Sequence, residues 1–172
     1  MMRQLVIKPR DPRWKIPTGV SPLRRVTKII VHYSATRVSR RVTVEKIRNE
    51  HLDRGCRDIG YHWVVDRDGV VWEGRPESLQ GAHCGREYNR ESIGVCWLGG
   101  LDGNGSPVGN ITKAQKRSMG ELLRQLHRRY PDALLYGHND LMDTKCPMVD
   151  VRQLWGHIWG LTPSPLSKGR GE

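Results

Sequence analysis

No apolar run in the 172-residue chain approaches the roughly 18–20 residues of a membrane span. The first fifteen residues are broken by Arg3, Lys8, Arg10 and Arg13 and hold no signal-peptide apolar stretch. That predicts a protein made and kept in the cytosol, or one that leaves it without a standard signal. Cysteine is scarce: there are four, at 56, 84, 96 and 146, with no C-x-x-C pair, so no disulfide framework is expected. The patterns G-x-x-x-x-G-K-[ST] and G-x-S-x-G are both missing, which leaves a phosphate-cradling loop and a nucleophile elbow unsupported. Internal repeats are absent too.

Acidic residues are nearly missing from the front. Residues 1–48 carry thirteen Lys and Arg against only Asp11 and Glu45, so the whole net charge of +11 resides there. The rest of the chain is balanced. A basic front on a neutral body attracts anions such as nucleic acid, lipid headgroups or an acidic wall polymer, or it simply aids solubility. With 37% hydrophobic residues and 19 Gly, the composition is that of a folded chain. The length favours one domain with a core of its own.

Pro12, Pro17 and Pro22 among basic residues predict an extended arm over 1–27. Residues 28–33 (Lys-Ile-Ile-Val-His-Tyr) are β-branched and apolar, which predicts a buried strand. Val44, Ile47, His51 and Leu52 recur at helical spacing between a Thr43 cap and a Gly55 stop. Asp68-Gly69 between two apolar runs marks a hairpin, and Ser92 to Leu98 is a further strand. Thr112-x-x-Gln115 is a capping box ahead of the stripe Met119, Leu122, Leu123, Leu126 and Tyr130. A short strand at 134–136, a polar loop and a last helix capped by Asp150 complete the body. The order β-α-β-β-β-α-β-α predicts an α/β (α+β) fold, a single domain over 28–161 with a central mixed β-sheet flanked by helices. A frayed tail is expected over 162–172.

Three residues stand out chemically. His32 lies at the exit of one strand, His138 at the exit of another, and Cys146 eight residues on. Sites in such sheets gather where strands end. Two imidazoles and a thiolate bind zinc and leave a fourth position for water. On residue type and spacing alone, they equally fit polar side chains satisfied at strand ends. Tyr61, on its own, reads as a strand aromatic. His62 faces away from Tyr61 and His51 falls on an inward helical stripe, so both read as packed residues, as does Cys96.

Larger fragments follow in order: 31–36 (Val-His-Tyr-Ser-Ala-Thr), 58–63 (Asp-Ile-Gly-Tyr-His-Trp), 81–83 (Gly-Ala-His), 88–95 (Tyr-Asn-x-x-Ser-Ile-Gly-Val), 137–140 (Gly-His-Asn-Asp) and 144–147 (Thr-Lys-Cys-Pro). This string resembles the zinc N-acetylmuramoyl-L-alanine amidases of the phage-lysozyme and peptidoglycan-recognition-protein family, over about residues 28–158. The resemblance implies Zn2+ held by His32, His138 and Cys146, with Tyr61 catalytic. Thr144 stands where members carry lysine or threonine, and so resembles the recognition-protein variant; Lys145 follows it. It further implies that His83 lines the substrate cleft, although a plain loop histidine fits as well. Asn89 either binds peptide or fixes a turn, and Asp140 either orients His138 or is a solvated loop acid.

The implied reaction is hydrolysis of the amide between N-acetylmuramic acid and L-alanine in bacterial peptidoglycan. The implied setting is a phage or prophage endolysin, a monomer in the host cytoplasm that reaches the wall through a separate pore protein. The basic arm would adhere to anionic envelope polymers. A non-catalytic peptidoglycan-binding module is the alternative, and three filled ligand positions argue against it. Specific nucleic-acid binding is not expected, because the arm offers only Trp14 to interleave with its charge.

Overall fold

A computed structural model describes residues 4–162. In chain order its strands are β1 (Ile7–Lys8), β2 (Lys28–Tyr33), β3 (Thr36–Arg37), β4 (Trp63–Val65), β5 (Val71–Glu73), β6 (Ser92–Trp97), β7 (Gly100–Leu101) and β8 (Leu134–Gly137). Its helices are α1 (Val44–Asp53), α2 (Gly85–Asn89), α3 (Lys113–Arg129) and α4 (Val151–Trp155), with 3-10 turns at His138–Asp140 and Gly156–Trp159. Six strands form one sheet in the order β1-β5-β4-β6-β2-β8, while β3 and β7 pair separately. The pairing is parallel except between β4 and β5, which are the expected hairpin. Its turn is fixed by Asp66, whose Oδ1 accepts the N–H groups of Asp68 and Val70, with Gly69 at φ +83°.

The caps read from sequence are present. Thr43 accepts from the N–H of Lys46, Thr112 and Gln115 close a capping box, and Asp150 accepts from Gln153. The last helix is shorter than its pattern: it tightens to 3-10 at Gly156.

Strand alternation sorts the side chains onto two faces. Ile29, Val31, Ile93, Val95 and Trp97 pack against Met119, Leu122, Leu123 and Leu126 of α3 and Trp155 of α4. On the opposite face, Val64, Cys96 and Leu98 meet Val44 and Ile47 of α1. His32, one residue out of phase with Val31, therefore lies on the α1 face, beside Cys96 of β6.

The arm expected over 1–27 is extended but docked. Its strand β1 joins the sheet edge beside β5, and Pro22 bridges to Leu79. Arg10 reaches inward to Asp58, which has no exposed surface and also binds Arg48 of α1; both contacts are 2.8 Å. The Arg10 and Arg48 guanidiniums both lie over the Trp14 ring, 5.5 and 5.0 Å from its centroid. The arm is thus part of the folded unit. The expected tail lies outside the described residues from 163 onward.

Candidate active site

The three proposed ligands converge. The ligand atoms of His32, His138 and Cys146 all lie within 4.8 Å of one another. His32 reaches the site from the end of β2, His138 from the turn directly after β8, and Cys146 from the loop that follows. His32 Nδ1 and Cys146 Sγ are 3.6 Å apart. Two donors around a tetrahedral zinc, at roughly 2.0–2.3 Å from the ion, stand about 3.5 Å apart, so this edge fits.

Burial sets the protonation of these groups. It drives His32 well below the usual imidazole value, helped by the neighbouring His138 and His62, and it lowers His138. Both rings are therefore neutral near pH 7 and present lone pairs. The Cys146 thiol is pushed up to about 12 by burial, although the Tyr33 N–H donates to its sulfur at 3.4 Å. A thiol so placed would give up its proton to solvent when a metal cation takes the proton's place on the sulfur. Neutral imidazoles beside a buried sulfur form a donor set suited to a borderline-soft dication.

Tyr61 stands beside this cluster, its ring centroid 5.3 Å from that of His32 and 5.2 Å from that of His51. Burial, with the Cys96 and Cys146 sulfurs nearby, raises its phenol well above the ordinary value. It remains a proton donor at neutral pH. Thr144 Oγ1 accepts the Cys146 N–H at 3.2 Å, which leaves its own hydroxyl proton free, while Lys145 is exposed.

Other candidates are engaged inside the protein. His83 Nδ1 lies 2.8 Å from His32 Nε2, so this ring pairs with one of the three candidate ligands. Asn89 Oδ1 accepts the N–H groups of His83 and Cys84 at 3.1 and 2.9 Å, which makes it the turn-fixing residue of the two uses considered. Asp140 does not reach the His138 imidazole. Its carboxylate accepts the Gly137 N–H at 2.7 Å and shapes the turn that carries His138. The nearest partner of His138 Nε2 is Met142 Sδ at 3.4 Å. His62 and His51 are packed, as read: His62 Nδ1 accepts from Gly94 and its Nε2 meets the Leu79 carbonyl, while His51 Nδ1 accepts from Gly60. Ser92 touches His83, and nothing in its spacing along the sequence marks that contact.

Comparison with known proteins decides the family. Residues 22–149 match the N-acetylmuramoyl-L-alanine amidase family. The chain belongs to it. The endolysin of Escherichia phage T7 is 42% identical over 127 residues, spanning 74% of this chain and 83% of its own. Peptidoglycan-recognition protein SC1a of Drosophila melanogaster is 31% identical over 158 residues, covering 88% of this chain and 80% of its own. Among solved structures, the N-acetylmuramoyl-L-alanine amidase LysC from Clostridium intestinale URNW superposes with a TM-score of 0.74 at 25% identity, over 91% of this chain and 97% of that one. This amidase family member therefore carries peptidoglycan amidase activity on a mixed-sheet domain.

Proposed function

We propose that this chain is a zinc-dependent phage endolysin that cuts the amide joining the lactyl carboxyl of N-acetylmuramic acid to L-alanine. The observation that carries the reading is the convergence of His32, His138 and Cys146 on one point at the strand ends. These three residues would hold the ion and leave one position open to water and substrate. When bound, zinc lowers the pKa of water toward about 7 and polarises a carbonyl oxygen.

The chain's own residues supply the rest. The Tyr61 phenol, kept protonated by its surroundings, donates to the amide oxygen as negative charge develops there. Thr144 contributes a second hydroxyl at the same rim, its oxygen already anchored by the Cys146 N–H. Lys145 points to solvent and is not assigned a role in the reaction.

Among the described residues no helix is long and apolar enough to cross a membrane. Release to the wall through a separate pore protein, with synthesis in the host cytoplasm, completes the endolysin reading. Exposed Lys8, Lys15, Arg24 and Arg25 on the arm supply adhesion to anionic envelope polymers. Because Arg10 is tied into Asp58, that adhesion is tested by changing the four exposed cations to Gln and not by deleting the arm.

The zinc reading is tested by metal analysis of the purified protein. One zinc per chain is expected, lost in Cys146→Ser and in His138→Ala. Full amidase activity after exhaustive chelation would overturn it.

A further inference from the structure

We propose that His83 and Ser92 are positioning residues that fix the tautomer and ring orientation of His32, and so select its Nδ1 as the metal-binding atom. The inference rests on the zinc reading above. It starts from the far end of a hydrogen-bond chain. The Tyr88 carbonyl can only accept, and Ser92 Oγ lies 2.7 Å from it, so the serine hydroxyl donates there. Ser92 Oγ then accepts from His83 Nε2, 3.3 Å away. A ring protonated at Nε2 has a bare Nδ1, which accepts from His32 Nε2 at 2.8 Å. His32 is left with its lone pair on Nδ1, the atom 3.6 Å from Cys146 Sγ. Each link has one consistent direction, and a backbone carbonyl of α2 sets the whole series.

The surrounding structure is built for this ring. Ser92, Gly94 and Cys96 follow one another on the α1 face of β6. A side chain at Gly94 would place its Cβ 2.7–2.8 Å from three atoms of the His83 ring, and one at Gly81 would come within 2.5 Å of it. The ring thus occupies the space that two glycines leave open. His62 packs across it, with ring centroids 5.8 Å apart, and binds the Gly94 N–H. Asn89 holds the backbone of His83 from the other side. A histidine that served only to touch substrate would need neither the slot nor the serine behind it.

The test uses the full chain and two readouts besides activity. The first is zinc affinity by competition with a chromophoric chelator. His83→Ala is expected to weaken zinc about 10–100-fold. His83→Gln, whose amide can accept from His32 and donate to Ser92, is expected to restore most of that loss. Ser92→Ala is expected to fall between wild type and His83→Ala. The second readout is the imidazole nitrogen spectrum of the metal-free protein. Wild type is expected to show His32 protonated at Nε2, and Ser92→Ala to show a mixture of tautomers.

Unchanged zinc affinity in a folded His83→Ala protein, or a wild-type His32 protonated at Nδ1, would overturn the proposal. If His83→Ala does not fold, the wild-type tautomer and Ser92→Ala still decide it. A wild-type protein that binds no zinc contradicts the zinc reading instead, and the tautomer measurement still tests the relay separately.

Discussion

The two halves of the site are held in different ways. The half gathered around the end of β2, His32 on the strand with Tyr61 and His83 packed beside it, is locked by side chains: His32 is 1% exposed and both of its ring nitrogens face partners. The half carried by residues 137–147 is held by its own backbone. Asn139 N–H donates to the Cys146 carbonyl, the N–H groups of Leu141 and Met142 donate to the His138 carbonyl, and Met148 N–H donates to Lys145. His138 itself is half-buried, with a thioether as its nearest partner. One ligand is therefore oriented in advance, while the other two are delivered by a folded loop. If the site holds zinc as proposed, His32 would bring a pre-set ring to the ion.

The largest expected effect comes from cutting the support beneath the sheet-borne half. Asp58 precedes the segment that brings Tyr61 into place, and its carboxylate and carbonyl together engage Arg10, Arg48 and Arg75. Asp58→Ala leaves Arg10 and Arg48 without their buried carboxylate, while the carbonyl that Arg75 binds remains, and is expected to cost about 3–5 kcal/mol in denaturant unfolding. A loss below 1 kcal/mol would mean that the arm and α1 are held by other contacts. The next effect strikes chemistry and not stability. Tyr61→Phe is expected to lower the rate of peptidoglycan cleavage by about 10²–10³ with zinc content unchanged. Near-full activity would remove Tyr61 from the reaction.

A third effect is the pH dependence of stability. His51 of α1 and His62 just ahead of β4 are lowered by burial to about 4 from the ordinary 6.5. Between those values the unfolded chain binds protons that the folded chain does not. Stability is therefore full above about pH 6.5 and falls as the pH drops toward 4, by about 1.4 kcal/mol per pH unit for each histidine. Unfolding midpoints measured from pH 7 to pH 4.5 check this, and a flat profile would contradict it. The smallest effect belongs to the loop. Asp140→Ala removes only the acceptor of the Gly137 N–H and is expected to cost about 1 kcal/mol, with a modest loss of zinc affinity. A collapse of zinc binding would show that the loop is as finely set as the sheet.

Much of this was legible in the sequence, for identifiable reasons. The apolar strand at 28–33, the Asp68-Gly69 turn and the Thr112–Gln115 box are local signals, and each appears where its chemistry requires. His32, His138 and Cys146 were legible because two of them lie at strand exits and because their flanking fragments keep a family's order. The docking of the arm was not, since the partner of Arg10 lies 48 residues away and β1 is too short to show alternation. Nor were the true partners of His83 and Asp140. They depend on the slot left by Gly81 and Gly94 and on how a turn closes, which spacing does not encode.

The central claim is tested most directly by the products of digesting purified peptidoglycan, with and without prior chelation. The account predicts new N-terminal L-alanine and no new reducing sugar ends, lost on chelation and restored by added zinc. Reducing ends, or release of L-alanine termini that chelation leaves untouched, would contradict it.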